Sequence, residues 1–316
     1  MRICLVKTSS MGDVIHTLPA LTDAQKALPN LQVDWVVEEN FAEIPTWHSA
    51  VKQVIPVAIR RWRKQLLQRK TWQEWQAYRQ LLQQNQYDAV IDAQGLVKSA
   101  LFAVRLAQGA KHGYDKHSAR EPLAALFYDE RYAIDYQQHA VERIRQLFAQ
   151  ALGYVLPNQQ GDYGIAQHFP VQQSLPPYVL LIHATTRADK HWCNQEWKKL
   201  AQNLTALGLA VHLPWGNEKE KQAAEWIAQG IENAVVLPKM DLTILAQHIA
   251  NAQAVVSVDT GLAHLTAALD KPNITLYGAT NPDLIGTYGK NQYHLQAPTM
   301  ALISAEAVLQ RLRPLL

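Results

Sequence analysis

The stretch RICLVKTSSMGDVIHTLPAL, residues 2–21, contains an apolar run, a polar loop and the start of a helical pattern. The apolar run ends at Val6, and the pattern of apolar residues resumes at Val14 with helical spacing. A short apolar run without alternation is typical of a strand that is buried on both faces of a parallel sheet. The stretch therefore predicts a βα unit, whose loop lies where ligands bind in such sheets.

The same alternation of short apolar runs and amphipathic stretches continues along the chain, and it predicts right-handed βαβ units. In the first half it predicts strands at 2–6, 33–37, 54–59 and 89–92, and helices at 14–27, 71–84, 97–108 and 139–152. In the second half it predicts strands at 178–183, 209–213, 234–237, 254–258 and 273–277.

A stretch rich in Pro, Gly and Gln at residues 152–177 interrupts this alternation and is the best candidate for a linker. The 316 residues suit two domains of ordinary size. We therefore predict α/β domains at 1–165 and 166–316. If they face each other, the loops that follow their strands meet in a cleft.

The composition favours a folded, cytoplasmic protein. Apolar residues make up 48% of the chain and charged residues 18%, which allows a large core. No stretch approaches the ~20 apolar residues of a membrane helix, and the N-terminus does not resemble a signal peptide. The two cysteines, Cys4 and Cys193, predict neither a disulfide framework nor a zinc site, and Cys4 is expected in the core.

The loop KTSSMGDV, residues 7–14, places the carboxylate of Asp13 between the first strand and its helix. Gly12 allows a ligand to approach the backbone closely. The loop lacks the three glycines of a dinucleotide fingerprint and the Gly-Lys-Ser/Thr of a Walker loop. Asp13 is either the N-cap of the helix or a catalytic base, and the two roles are compatible.

The loop HATTRADKHW, residues 183–192, follows the strand YVLLI. The hydroxyls of Thr185 and Thr186 and the cations Arg187 and Lys190 suit a phosphate group at a strand end. The alternative is a solvated loop with incidental charges.

The segment SVDTGLAHLTAAL, residues 257–269, predicts a strand, an elbow and a helix. The amides of Thr260 and Gly261 at the helix start suit a diphosphate. Asp259 suits sugar hydroxyls, and His264 lies one turn into the helix. The alternative is that Asp259 caps the helix and that His264 is a core residue.

The segment LPWGNEKE, residues 213–220, places acids just after a strand, where they suit ribose hydroxyls. Glu218 and Glu220 both qualify, Trp215 could flank a base, and the alternative is an ordinary capped helix start.

No Asp-x-Asp, His-Glu-x-x-His or Cys-x-x-Cys pattern of a metal site occurs in the sequence. If the substrate is a nucleotide sugar, Lys190 and helix amides must neutralise its leaving group.

The segment RRWRKQLLQRK, residues 60–70, contains six basic residues and no acid, although the chain as a whole carries only +3. Together with Trp62, Trp72 and Trp75 it suits an amphipathic helix on anionic lipid. A nucleic-acid surface and a solvated helix face over core tryptophans are the alternatives.

Taken together, KTSSMGDVIHTLPALTDA, IRRWRK, DAQGLVKSA and SVDTGLAHLTAAL resemble the lipopolysaccharide heptosyltransferases in motif, order and spacing. The resemblance covers nearly the whole chain. It implies a GT-B fold, with two Rossmann-like doubly wound domains facing across a cleft. It also implies metal-independent transfer with inversion at the anomeric carbon and no cofactor, with the acceptor held by the N-terminal half and ADP-heptose by the C-terminal half.

The resemblance also implies roles for individual residues, with Asp13 as the catalytic base. The donor-binding residues are then Thr185, Thr186, Lys190, Glu220, Met240, Asp259, Thr260, Gly261 and His264. We expect the acceptor to be bound by Ser10, Gly12, Arg60, Arg61, Arg63, Lys64, Arg120 and His139.

The implied partners are ADP-heptose as the donor and Kdo–lipid A as the acceptor, with the enzyme peripheral to the cytoplasmic face of the inner membrane and not bound to nucleic acid. A heptosyltransferase of the second type, or a related transferase of this fold acting on another core sugar, is the first alternative. A non-enzymatic protein that binds anionic surfaces through residues 60–70 is the second.

Overall fold

The computed structural model describes residues 1–172 and 176–316. The chain forms two compact units, Met1–Gly164 and Ile165–Leu316. The sequence predicted a division between residues 165 and 166. Part of the predicted linker, residues 173–175, lies outside the described residues.

The first unit is built on a parallel sheet, in which the described strands follow the order β3-β2-β1-β4-β5-β6. This is the doubly wound order of a Rossmann fold, with β1 and β4 at its centre. The strands are β1 (Arg2–Val6), β2 (Gln32–Glu38), β3 (Val51–Val57), β4 (Ala89–Asp92), β5 (Lys111–Tyr114) and β6 (Glu130–Tyr132).

The second unit repeats this topology. Its described strands follow the order β12-β11-β10-β7-β8-β9 and are again parallel, so β7 and β10 are central. The strands are β7 (Tyr178–Ile182), β8 (Ala210–Leu213), β9 (Ala234–Val236), β10 (Ala254–Val258), β11 (Asn273–Tyr277) and β12 (Gln292–Gln296).

Helices cover the sheets of both units. The first unit contains α1 (Met11–Ile15), α2 (Leu18–Ala27), α3 (Glu43–Thr46), α4 (Ile59–Trp62), α5 (Arg69–Gln83), α6 (Val97–Ser99) and α7 (Ala140–Leu152). The second contains α8 (Asn194–Ala206), α9 (Glu218–Ala228), α10 (Leu242–Asn251), α11 (Gly261–Ala268), α12 (Pro282–Ile285) and α13 (Ala305–Leu312). A π-helix at Ala100–Val104 and a 3₁₀ helix at Pro122–Phe127 also lie in the first unit.

The sequence missed three strands, β5, β6 and β12, which lie at or next to the edge of a sheet. Their sequences, KHGY, ERY and QYHLQ, are polar and only partly buried. A search for continuous apolar runs finds strands that are covered on both faces. It does not find short strands near a solvated edge.

Two predicted helices are wrong in extent. The helix predicted at 14–27 is two helices, and Pro19 lies in the first turn of the second one, where its missing N–H costs no hydrogen bond. The helix predicted at 97–108 ends as a π-helix at Val104. Gln108 instead bridges to Gln86 in a strand-like pairing.

The central strands are buried in both units, as the apolar runs predicted. Cys4 is fully buried in β1, Cys193 is exposed, and neither of these described cysteines forms a disulfide. No helix among residues 1–172 and 176–316 is long and apolar enough to cross a membrane. Because all strands of a sheet run the same way, the loops after β1 and β4 leave from one edge of the first sheet. The loops after β7 and β10 do the same in the second.

Candidate active site

The loop after β1 leads directly into α1, and Ser10 is the N-cap of that helix. The interpretation of Asp13 as the N-cap is therefore wrong, because helical geometry already begins at Met11. Asp13 is the third helical residue, and its Oδ2 accepts hydrogen bonds from the Ser10 amide (2.7 Å) and the Ser10 hydroxyl (2.9 Å). The short helix thus fixes the position of the Asp13 carboxylate, with Gly12 buried beside it.

The Asp13 carboxylate is stabilised in its charged form. Burial raises the pKa of this carboxyl. The positive charge of Lys7 and the two hydrogen bonds from Ser10 lower the pKa by more than burial raises it. The pKa therefore lies below its usual value of 3.8. Asp13 is ionised at neutral pH and able to accept a proton.

Lys7, which the sequence analysis did not single out, is the buried cation of this site. Its side chain is only 6% exposed, and Nζ donates a hydrogen bond of 2.8 Å to the carbonyl of Ala93. Burial lowers the pKa of the Lys7 amine, although the charges of Asp13 and Asp92 oppose this effect. Its position directly after a buried strand was the feature of the sequence that could have identified Lys7, since burying an ammonium is costly without partners.

The loop after β4 holds the loop after β1 in place. Oε1 of Gln94 accepts hydrogen bonds from the amides of Thr8 (2.9 Å) and Ser9 (3.1 Å). The Gln94 amide in turn donates to Asp92, whose carboxylate also accepts from the hydroxyl of Tyr128 (2.8 Å). The segment DAQG, which contributed to the family resemblance, therefore orders the backbone before Asp13.

Two predicted acceptor residues lie near Asp13. The charge of Arg120 lowers the pKa of both Asp13 and Lys7, which places its guanidinium within electrostatic reach of both. His139 is the N-cap of α7, and its Nδ1 accepts a hydrogen bond from the Val141 amide (3.2 Å). The ring of His139 lies 5.3 Å from that of His16, one turn after Asp13.

The basic segment, residues 60–70, lies in α4, the turn after it and the start of α5, and its cations differ in whether they form ion pairs. The guanidinium of Arg61 makes ion pairs with Glu39 (2.9 Å) and Glu74 (2.8 Å). Across residues 1–172 and 176–316, Arg63 and Lys64 form no ion pair, and both are exposed. The predicted basic site therefore contains one cation that is already paired, Arg61, and others that are exposed to solvent.

An open pocket of about 350 Å³ adjoins this segment. The amide of Arg60 at its wall donates to Glu38 (2.9 Å), which links α4 to the end of β2. The pocket is lined by Glu38, Glu39, Asn40, Arg60, Arg61, Lys64 and Gln65. Its charges have both signs, unlike the purely basic surface expected from the sequence.

The tryptophans of this region are mainly structural. Trp62 is 8% exposed, and its ring packs edge-on against Trp75 at 5.8 Å. Trp75 also contacts the rings of Tyr78 and Phe102. The prediction that Trp62 is an interfacial anchor is therefore wrong, since it is buried. Trp75 is partly buried, and of the three only Trp72 is exposed.

In the second unit, the loops after β7 and β10 meet. Nζ of Lys190 lies 2.5 Å from Oδ2 of Asp259, and both side chains are largely buried. The hydroxyl of Thr185 donates to the Asp259 carbonyl (3.2 Å). Thr186 is exposed, and Arg187 makes an ion pair with Asp189 at the surface. The structure thus brings together the predicted phosphate loop and the predicted sugar-binding acid.

The helix after β10 begins at Gly261, with Thr260 as its N-cap. The alternative that Asp259 is the cap is wrong, because Thr260 is the residue directly before the helix. The Asp259 carbonyl and carboxylate instead accept from Thr185 and Lys190. His264 is buried at 7% exposure, one turn into α11.

The predicted ribose-binding segment starts α9, with Asn217 as the N-cap. Glu220 accepts hydrogen bonds from the Gly216 amide and the Asn217 side chain, both at 2.7 Å. Its carboxylate therefore closes the turn, as the alternative of a capped helix start expected. Trp215 donates to the Leu237 carbonyl (2.7 Å), Glu218 is exposed, and Met240 is partly buried just before α10.

Comparison with known proteins agrees with this fold. Residues 75–309 match the family described as Glycosyltransferase family 9 (heptosyltransferase). Lipopolysaccharide heptosyltransferase 1 of Escherichia coli strain K12 is 57% identical over 321 residues, covering 100% of both chains. The structure of E. coli heptosyltransferase WaaC with ADP superposes with a TM-score of 0.97 at 55% identity over 100% of both chains. WaaC with ADP-2-deoxy-2-fluoro heptose gives 0.94 at 55% identity over 99% of both.

These matches confirm the predicted fold class, GT-B with two Rossmann-like domains, which is the architecture of a glycosyltransferase. The chain belongs to glycosyltransferase family 9, the heptosyltransferases.

The contacts of Gln94 generate a prediction about the loop before Asp13. Replacing Gln94 by Ala removes the acceptor for the amides of Thr8 and Ser9. We expect hydrogen exchange at these two amides to accelerate about 5- to 10-fold, since one hydrogen bond contributes ~1 kcal/mol. Gln94→Glu retains an acceptor oxygen and serves as the control. Unchanged exchange in the Ala variant would show that Gln94 does not hold the loop.

Proposed function

We propose that this protein transfers heptose from ADP-heptose to a Kdo residue of Kdo–lipid A, in the assembly of the lipopolysaccharide inner core. The observation that carries the proposal is the 57% identity over the full length to lipopolysaccharide heptosyltransferase 1 of E. coli. The arrangement around Asp13 and Lys190 supports it, because each residue suits one half of a glycosyl transfer.

In the proposed reaction, Asp13 removes the proton from a Kdo hydroxyl while that oxygen attacks the anomeric carbon of heptose. The bond from this carbon to the phosphate oxygen breaks on the opposite face, and ADP leaves with the electron pair, so the configuration is inverted. Positive charge develops on the sugar ring in the transition state, and a nearby carboxylate stabilises it. A low pKa makes Asp13 a weak base, which suffices when the proton is transferred late.

We propose that the leaving diphosphate is neutralised by the protein and not by a metal ion. Lys190 is the cation for this role, and the hydroxyls of Thr185 and Thr186 and the amides at the start of α11 add donors. An ammonium has three N–H donors, so the single ion pair with Asp259 holds the Lys190 ammonium in place and leaves donors for the phosphates. His264 borders the same loop.

We assign adenosine recognition to Glu220 and Met240 as a further part of the proposal. Glu220 already accepts two hydrogen bonds from its own turn. A carboxylate offers about four lone-pair sites, so it can also accept from ribose hydroxyls. In this proposal residues 166–316 bind ADP-heptose and residues 1–165 bind the acceptor.

For the acceptor, we propose that Arg60, Arg63 and Lys64 bind its carboxylates and phosphates. Their exposure supports this role. Arg61 is a weaker candidate than the sequence suggested, because two carboxylates already hold its guanidinium. Arg120 and His139, near Asp13, complete the proposed acceptor site together with Ser10 and Gly12. Because this acceptor is a lipid, we further propose that the protein acts at the cytoplasmic face of the inner membrane.

A transferase of the same fold acting on another core sugar is the alternative, and the acceptor distinguishes it. Comparing transfer onto Kdo–lipid A with transfer onto a core that already carries one heptose separates the two. No described contact favours a non-enzymatic role in binding anionic surfaces.

The first prediction of this proposal concerns Asp13. Wild-type protein should release ADP from ADP-heptose in the presence of Kdo–lipid A and EDTA, and Asp13→Asn should lower kcat by about 10²- to 10⁴-fold. An Asn oxygen still accepts from Ser10, so the loop remains capped. Asp162→Asn, an exposed aspartate of the same unit, is the control. Equal rates for wild type and Asp13→Asn would exclude Asp13 as the base, and EDTA-sensitive turnover would exclude metal independence.

The second prediction concerns pH. Because the pKa of Asp13 is depressed in the folded protein, the ionised base is present above this pKa and is lost as pH falls through it. Lys7 is the largest of the influences that lower this pKa. Lys7→Met should therefore move the acid limb of the kcat/KM profile to higher pH. Lys26→Met, a surface change, should leave the limb in place. An unmoved limb in Lys7→Met would contradict the electrostatic role of Lys7.

The third prediction separates the basic residues. The double variant Arg63→Gln, Lys64→Gln should raise the KM for the acceptor about tenfold, because two charge-assisted contacts are lost, and should leave the KM for ADP-heptose unchanged. Arg61→Gln should raise the acceptor KM less, since Arg61 is already paired. An unchanged acceptor KM in the double variant would overturn the proposed acceptor site.

A further inference from the structure

Arg143 is a cation on α7 for which the proposed reaction provides no role. It lies one turn after His139, and its backbone amide donates to the His139 carbonyl (3.1 Å). The guanidinium carbon lies 4.0 Å from the centre of the Tyr136 ring and 5.3 Å from that of the Tyr114 ring. A planar cation is attracted to the face of an aromatic ring, so these two contacts fix the position of the guanidinium.

The Arg143 side chain also contacts the segment that carries Arg120. This segment, residues 115–121, follows β5, and we call it the Arg120 loop. Nη2 of Arg143 donates a hydrogen bond to the Ser118 carbonyl in this loop (2.8 Å). Ser118 is buried, and its hydroxyl accepts from the Ile134 amide (2.8 Å). One guanidinium thus joins α7 to the Arg120 loop.

Hydrogen bonds also hold the two ends of the Arg120 loop. At its start, the Asp115 carboxylate accepts from the Ser118 amide (2.8 Å). At its end, the Glu121 amide donates to the Gly95 carbonyl in the loop after β4 (3.0 Å). The loop after β4 therefore contacts the Arg120 loop on one side and the loop before the proposed base on the other.

The charge of Arg143 is not used in an ion pair. Within residues 1–172 and 176–316, no carboxylate pairs with its guanidinium, and its buried Nε has no hydrogen-bond partner. By contrast, Arg145 on the same helix pairs with Asp23 (2.6 Å) and Glu142 (2.9 Å). An ion pair that stabilises the fold therefore accounts for Arg145 but not for Arg143.

Arg143 lies in the electrostatic surroundings of the proposed base. Burial lowers the pKa of the Lys7 amine, and the charges of Arg143 and Arg120 lower it further. Both guanidiniums therefore lie within electrostatic reach of Lys7, whose charge in turn acts on Asp13. Positive charge on this side of Asp13 suits an anionic acceptor.

We propose that Arg143 is a positioning residue for the acceptor, because its bond to the Ser118 carbonyl keeps the Arg120 loop against α7 and Arg120 within reach of the acceptor's carboxylates. The Arg120 side chain is exposed, so its reach depends on where its backbone is held. A contact that fixes this backbone before the acceptor binds lowers the cost of ordering the site. The inference rests on the proposed function, in which Arg120 binds the acceptor.

Steady-state kinetics with Kdo–lipid A and ADP-heptose test the proposal. Arg143→Met keeps an unbranched side chain over the two rings but removes the charge and the donor. It should raise the KM for the acceptor about 5- to 10-fold and leave the KM for ADP-heptose unchanged. Arg143→Lys retains the charge and a donor, so it should raise the acceptor KM less. If Arg143→Met does not fold, Arg143→Lys provides the same test with a smaller rise.

Arg131→Met is the matched control, because Arg131 in the same unit also donates to a backbone carbonyl, that of Tyr128 (3.2 Å). It should leave both KM values as in wild type. An unchanged acceptor KM in Arg143→Met would overturn the proposal. An equal rise in both KM values would also overturn it, because it would show general damage to the fold.

A double-mutant cycle tests whether Arg143 acts through Arg120. Arg120→Gln alone should raise the acceptor KM about tenfold, since a charge-assisted contact is lost. Adding Arg143→Met should then raise it less than about twofold further, because the residue that Arg143 positions is already gone. Additive effects would overturn the positioning role and identify Arg143 as a direct ligand. An unchanged KM in Arg120→Gln would also overturn it, while heptose transfer itself would stand.

Hydrogen exchange separates this proposal from the proposed function, because it needs no substrate. The amides of Ala119 and Glu121 donate to the carbonyls of Asp115 (2.8 Å) and Gly95 (3.0 Å). Both amides should exchange about 5- to 10-fold faster in Arg143→Met than in wild type. Faster exchange without heptose transfer by wild type would reject the proposed function and support the contact with the loop. Equal exchange in the two proteins would overturn the proposal.

Discussion

The hydrogen bonds that tie the loop after β1 to the loop after β4 are the constraint on which the proposed site depends. Gln94 accepts from the amides of Thr8 and Ser9, and Lys7 donates to the carbonyl of Ala93. These loops are neighbours because β1 and β4 are the central strands of a parallel sheet. Without them the loop before Asp13 would be free to move, and a base must be held within hydrogen-bond reach of its proton.

In both units, the charged side chain to which we assign a role in the proposed reaction has a fixed partner. Ser10 and Lys7 keep the Asp13 carboxylate ionised, and Asp259 holds the Lys190 ammonium. Partly buried charges need such partners, since desolvation alone would favour their neutral forms. The same contacts that make the charges tolerable in the fold also orient them for the proposed reaction.

The basic segment shows how one stretch of sequence serves two purposes. Arg61 and Trp62 face Glu74 and fasten α4 to α5. Arg63 and Lys64 are exposed to solvent. A contact that holds the fold together and the proposed acceptor site thus lie next to each other in the sequence.

The sequence by itself determined the central strands, the Rossmann-like class of both units and the loops that follow β1, β7 and β10. These features depend on local patterns, since buried strands are apolar and polar loops end them. Only the tertiary structure decided that β5, β6 and β12 are strands, that Lys7 is buried beside Asp13, and that Arg61 is paired. Each of these depends on residues distant in sequence, such as Gln94 for the loop before Asp13, and no local pattern encodes such pairings.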